Sequence, residues 1–220
     1  MRITAYILTL CLFKTIICSC SSHYKLHKGD TKYIPYTGNE ILVFKSDKNR
    51  MDTIFLKGTS TFNGCGDPLA IFPDKCDGIK VNCTWTDPNY DRYLEGKELV
   101  QIVATQNKQT HISFDIVLRG SWFYGLDSYS LEEFDKIQNT TLAIDSTVYE
   151  DVKVFVASEY AKQYEQRSNY ALRFYWSLSK GFLGLDRRDE KWRLIKKNTR
   201  ILGNNSYSCQ THLRTFGCPW

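Results

Sequence analysis

His111-Ile-Ser-Phe-Asp-Ile-Val-Leu118 alternates without a break: Ile112, Phe114, Ile116 and Leu118 fall on one side, and His111, Ser113, Asp115 and Arg119 on the other. Successive strand residues point to opposite faces, so this run predicts a β-strand with one face packed and the other wet or lining something. Upstream, Leu99-Val-Gln-Ile-Val-Ala104 and the polar Asn107-Lys108 complete a hairpin. Ile41-Leu-Val-Phe44 and Met51-Asp-Thr-Ile-Phe-Leu56 read as another hairpin across the polar stretch Lys45 to Arg50. Thr141 to Ile144 and Val148 to Val156 form a third pair, with Val152, Val154 and Val156 on a common face. Tyr170 to Leu178 groups Leu172, Phe174, Trp176 and Leu178, and a partner strand is expected near Lys191-Trp-Arg-Leu-Ile195.

The composition agrees with strands. Twelve Phe, 14 Tyr and 5 Trp stand against 5 Pro and 2 Met in 220 residues, and rings pack well on a pleated surface. Helix is confined to two places. Ser130-Leu-Glu-Glu133 is a capping-box pattern that starts a short helix to Gln138, and Glu159 to Arg167 is rich in helix formers. The predicted fold is mainly β: an antiparallel meander of about eight strands curling into an open or closed barrel or half-barrel, with one or two short helices. Such a barrel has an interior that side chains just fill, so a packed core is the preferred reading of the Ile112, Phe114, Ile116, Leu118, Leu172, Phe174 and Trp176 face. An open cleft lined by the same residues and accepting an apolar ligand is the alternative.

Residues 58–97 break the pattern. Eight Gly and Pro residues punctuate them, from Gly58 to Gly96, and they read as one irregular segment held by crosslinks or used for function. Cys65, Cys76 and Cys83 lie here, and Cys209 and Cys218 lie near the end. An exported chain favours disulfides, and the expectation is a local Cys209–Cys218 bridge plus one among Cys65, Cys76 and Cys83. No C-x-x-C pair occurs and the spacings match no zinc finger, so no metal or other cofactor is expected.

Catalytic patterns are thin. The sequence has no G-x-S-x-G, H-E-x-x-H or P-loop. His111 and Asp115 point the same way along a strand and form a conceivable acid–base pair, against the plainer reading of a solvated face. Cys65 or Cys83 with His111 or His212 gives a thiol-enzyme or hydrolase alternative built on the 58–97 segment. Trp122-Phe123-Tyr124, between Gly120 and Gly125, reads as a plug for the end of the barrel rather than a stacking platform. The formal charge is +5 with acids and bases interleaved, which argues against nucleic-acid binding.

At the front, Met1-Arg2 precedes the mostly apolar run Ile3 to Phe13, too short to span a bilayer and suited to the core of a secretion signal. Ile17-Cys18-Ser19-Cys20 follows and resembles the lipobox of bacterial lipoproteins, in which the cysteine takes the acyl chains. The expected organisation is a signal peptide over 1–19, a lipidated Cys20 with a flexible tether over 20–32, and a single β-rich domain over 33–220. An ordinary secretory signal, with Asn82-Cys-Thr84, Asn139-Thr-Thr141 and Asn204-Asn-Ser206 as glycosylation triplets, makes a secreted eukaryotic or viral glycoprotein the competing origin.

Cys20-Ser21-Ser22, Tyr33-Ile-Pro-Tyr36 with Gly38, the 41–54 hairpin and the run Phe174-Tyr-Trp176, Lys180-Gly-Phe-Leu-Gly-Leu185, Lys191-Trp-Arg-Leu194 together resemble small envelope lipoproteins of Gram-negative gut and oral anaerobes (Bacteroidetes-type). The resemblance implies a protein held by acyl chains on Cys20 in the outer membrane and facing the periplasm, with a strand, a glycine-bearing bend and a returning strand at its C-terminal end. It carries over no catalytic residues. The function expected is a non-catalytic binding or interaction module with an apolar small-molecule or protein partner, or a periplasmic carrier of lipid.

Overall fold

The alternating runs become neighbouring strands of one sheet that curls into a half-barrel. A computed structural model describes residues 22–63, 75–87, 92–105, 109–123, 128–158 and 170–199. The strands are β1 (His23–Tyr24), β2 (Glu40–Ser46), β3 (Met51–Asn63), β4 (Lys75–Asp87), β5 (Arg92–Ala104), β6 (Thr110–Phe114), β7 (Val117–Leu118) and β8 (Ser121–Phe123). They continue as β9 (Tyr129–Ser130), β10 (Thr140–Ile144), β11 (Thr147–Val156), β12 (Tyr170–Ser177), β13 (Gly181–Arg187) and β14 (Lys191–Thr199). The main path runs β10-β11-β12-β13-β14-β2-β3-β4-β5-β6-β9. Every pairing along it is antiparallel, including the seam in which β14 joins β2 with Leu194 opposite Phe44. Among the described residues, fourteen strands replace the eight or so expected.

The predicted hairpins form with their apolar residues in register: Leu42 faces Ile54 and Ile102 faces Ile112. Curvature follows from the rings. Phe114, on β6 near one end of the path, lies 5.2 Å from Phe155 on β11, 5.2 Å from Phe174 and 4.7 Å from Trp176 on β12, near the other end. Strands so far apart in the sheet order touch only because the sheet bends over its own inner face. The β7–β8 segment completes the bend: β8 adds in parallel to β12, pairing Ala171 with Phe123.

Asp52 holds that segment in place. It occupies an inward position of β3 in phase with Ile54 and Leu56, and its carboxylate accepts from Thr86 Oγ1 at 2.6 Å and from the backbone N–H of Arg119 at 2.6 Å. Arg119 has a φ of 47°, so the turn between β7 and β8 is fixed by a charged acceptor rather than by apolar contact. The helix α1 (Leu131–Lys136) carries the full capping box, with Ser130 and Glu133 exchanging bonds, as the sequence predicts. Its far end is tied down by Lys153, whose Nζ donates to Ile137 O at 2.6 Å and lies 5.3 Å from the centre of the Phe134 ring.

Three expectations are corrected. The stretch 58–97 is not irregular where it is described: β3, β4 and β5 are each 13 residues long. Its glycines sit within or beside strands. Gly58 (φ 106°) lies at the register shift between Leu56 and Thr59 and donates to Gly38 O at 2.7 Å, and a side chain on Gly38 would collide with Gly58 at 2.5 Å. Next, the partner of β12 is β13, not the strand at 191–195, so 181–187 is a strand and not a bend. Gly184 permits this, because a Cβ there would lie 2.0 Å from Trp192 O. Lastly, the 111–118 run breaks after Phe114, and β7 begins at Val117. The segment 159–167 lies outside the described residues.

At the β13–β14 turn the Glu190 side chain is buried against Arg50, whose Nε donates to it at 2.7 Å, and Arg187 approaches at 3.4 Å. Burial pushes the Glu190 carboxyl up, but the hydrogen bonds from Arg50 and Ser46 and the nearby guanidinium charges outweigh it and hold it below the usual range. Hydrogen bonds from Thr37 and Gly38 do the same for the buried Glu40. A depressed folded pKa gives stability that is present above the unfolded carboxylate range and is lost as pH falls through the folded value. Urea midpoints should therefore fall steadily below about pH 4.5, and Glu190→Gln should flatten that fall. Phe114→Ala should remove the ring that joins β6 to β11 and β12 and cost about 3–5 kcal/mol in the same measurement. A loss below about 1 kcal/mol would mean that the inner face is a loose cleft.

Candidate functional site

The face proposed for an apolar ligand is occupied by protein. Ile112, Leu118, Phe174 and Trp176 are fully buried, Ile116 is nearly so, and Phe114 is packed among them. Phe155 stacks on Phe174 with ring centres 4.4 Å apart and an interplanar angle of 5°. Phe123 meets Phe174 edge-on at 4.7 Å, so the described part of the Trp122–Tyr124 cluster packs into the core. Leu172 leaves this face and packs against Ala157 and Tyr170 instead. Six of the seven expected lining residues are thus packed into the core, and the ring pairs among them and their neighbours, stacked, tilted or edge-on, are of a kind worth about 0.5–1.5 kcal/mol each beyond burial.

The thiol constellation does not assemble around Cys83. This cysteine is free and 3% exposed on β4. Burial pushes its thiol up to about 12, with the Asp115 and Glu98 charges adding to the shift. A nucleophilic cysteine needs the opposite environment. Cys76 is disulfide-bonded to a partner outside the described residues. Cys20, Cys65, Cys209, Cys218 and His212 also lie outside them. His111 and Asp115 do not form an acid–base pair: His111 Nδ1 lies 3.4 Å from Ser128 Oγ, whereas Asp115 pairs with Lys97 at 3.2 Å. The break after Phe114 takes Asp115 off the strand that carries His111.

Among the surface grooves of the described residues, two adjoin the β2–β14 seam and the N-terminal segment. One, of about 390 Å³, runs between the β10–β11 turn and strands β2 and β14, bounded by Lys45, Lys191, Arg193 and Asp145. Arg193 is committed to Asp186 at 2.7 Å and covers the Tyr175 ring at 4.6 Å. Burial and the Asp186 contact push the Tyr175 hydroxyl up to about 12. Lys45 and Lys191 have no ion-pair partner among the described residues. The other groove, of about 560 Å³, lies where residues 22–27 cross the β5–β6 turn, between His23, Tyr24 and Lys25 on one side and Thr105, Gln109 and Thr110 on the other.

The second groove exists because 22–32 is not a free tether. Strand β1 pairs in parallel with Lys75 and Cys76 of β4, and His23 Nε2 lies 2.7 Å from Asp77 Oδ1. Buried Asp30 accepts from His27 N at 2.9 Å and from Thr110 Oγ1 at 2.8 Å. Tyr33 donates to Asp135 at 2.6 Å. Leu26 and Tyr33 add apolar packing against the core, Tyr33 meeting Phe134 edge-on at 5.3 Å, but the remaining contacts are backbone and polar and leave no apolar period in the sequence. Asn82 is a poor glycan acceptor, since it donates to Ser60 Oγ at 3.1 Å from within a paired strand.

Comparison with protein families, with curated proteins and with solved structures finds no match to this chain. Burial keeps the Cys83 thiol protonated at pH 8 and so poorly reactive. Cys83 should accordingly resist iodoacetamide in the native protein and react only after denaturation, as peptide mass mapping would record.

Proposed function

We propose that this protein is an envelope lipoprotein, acylated on Cys20 and held at the periplasmic face of the outer membrane, whose folded domain is a non-catalytic binding or interaction module. One observation carries the second half of this reading: the concave face of the sheet is filled by its own rings, with Phe114 wedged 4.7–5.2 Å from Phe155, Phe174 and Trp176. A lipid carrier needs that volume for its cargo. A half-barrel filled in this way meets other molecules on its surface, where grooves such as those beside β14 and beside residues 22–27 lie. The buried, un-ionised Cys83 supports the same reading over a thiol enzyme built on β4.

The first half rests on the Ile17-Cys18-Ser19-Cys20 boundary and on the chemistry it implies: two or more acyl chains on one N-terminal cysteine make a stable anchor where one is marginal. Intact mass of protein extracted from membranes should give a chain that begins at Cys20 and carries acyl groups. A soluble product cut elsewhere would refute the anchor. Stoichiometric non-covalent lipid extracted from the native protein, over and above the acyl chains on Cys20, would refute the filled interior.

A further inference from the structure

The docking of residues 22–33 changes what an anchor at Cys20 does to the domain. Read as a tether, residues 20–32 would let the domain float up to about 40 Å from its anchor. Instead, Ser22 is already part of the fold. Its carbonyl accepts from the backbone N–H of Lys75 at 2.9 Å, and β1 continues the pairing at His23 and Tyr24. Only Ser21 separates Ser22 from Cys20, so the two Cα atoms lie at most about 7 Å apart.

We propose that the folded domain stands directly on the bilayer, with the end of the half-barrel that carries Ser22, Lys25 and Lys75 turned to phospholipid headgroups. The inference rests on acylation of Cys20. Given that, covalent reach leaves this end no room to leave the surface.

The chemistry of this end suits a phosphate-bearing surface. Lys25 and Lys75 are exposed, and neither ammonium has an ion-pair partner among the described residues. The β5–β6 turn lies at the same end, since Val103 pairs with Gly78 and Ala104 with Thr110. It contributes the Thr105 and Gln109 side of the 560 Å³ groove. The mixed lining of that groove, a ring beside hydroxyls and an amide, matches the interfacial zone of a bilayer. The opposite end is built differently. Lys48, in the turn before β3, is bonded to Asp189 at 2.8 Å. Strand β3 runs 13 residues from there to Asn63, which faces Asp77, a span of about 40 Å.

Lysine footprinting tests this. The acylated full chain is reconstituted in vesicles of phosphatidylethanolamine and phosphatidylglycerol and labelled briefly with a water-soluble amine-reactive ester. A variant with about ten Gly and Ser residues inserted between Ser21 and Ser22, a flexible linker, is treated alike. High ionic strength screens surface attraction in both. Lys25 and Lys75 should label at least about fivefold more slowly in the natural chain than in the insertion variant, with Lys48 equal in the two. Equal labelling of Lys25 and Lys75 in both proteins, or protection of Lys48, would overturn the orientation. Intact mass of the same samples separates the causes: a mass without acyl chains defeats the anchor, while an acylated chain with uniform labelling defeats the orientation alone.

Discussion

The contact between the Phe114 ring and the rings of Phe155, Phe174 and Trp176 sets the shape of the molecule. A sheet with eleven strands along its main path twists, and left open it would expose its apolar face over a great length. Bringing β6 over β11 and β12 buries that face without a second layer. Everything else serves the closure. Strand β8 fills the space along β12 beyond the end of β11, Asp52 pins the turn that delivers β8, and α1 packs Phe134 beneath Phe114 and Phe155.

Polar groups do much of this positioning, and each is used where a side chain must hold backbone. Asp52 fixes Arg119 N, Glu40 fixes Thr37 N and Gly38 N, and Tyr36 accepts from Phe182 N at 2.6 Å above Gly181. Burying a charge or hydroxyl is unfavourable unless its bonds are made, and breaking one partner costs more than the bond itself contributes. The curved sheet is therefore specified at its turns by satisfied polar groups and along its strands by rings.

What the sequence revealed follows this division. Runs whose pattern is apolar were readable, the 41–56 and 99–114 hairpins and strand β12 all forming, and so was the one polar motif with a fixed spacing, the Ser130–Glu133 cap. The second half of β3, the whole of β4 and the first half of β5 were hidden because they are rich in Thr, Ser, Asn, Lys and Gly, and glycines at register shifts look like loop punctuation. The docked segment 22–33 was hidden for a related reason, since it is held largely by backbone pairing and by Asp30, with Leu26 and Tyr33 too isolated to set a period. Asp52 left one trace, an acid at an inward position of an alternating strand. The surface grooves left none, because each joins residues from elements distant in sequence.

The seam between β14 and β2 has a consequence in time. It pairs Thr199 with Glu40 and Trp192 with Ser46, partners separated by nearly the whole described chain. Such long loops close slowly, because the entropy of bringing the ends together is lost before any contact forms. As the chain emerges from the ribosome, β2 and β3 can pair at once, but β2 keeps a bare edge until β14 has been made. The interval leaves Ile41-Leu-Val-Phe44 as an open template for other chains. Lys45 on the strand and Lys48 in the turn that follows it act as guards against that mispairing. Whatever brings this protein to its destination must carry it across that interval, and a chain shortened before Lys191 would never leave it.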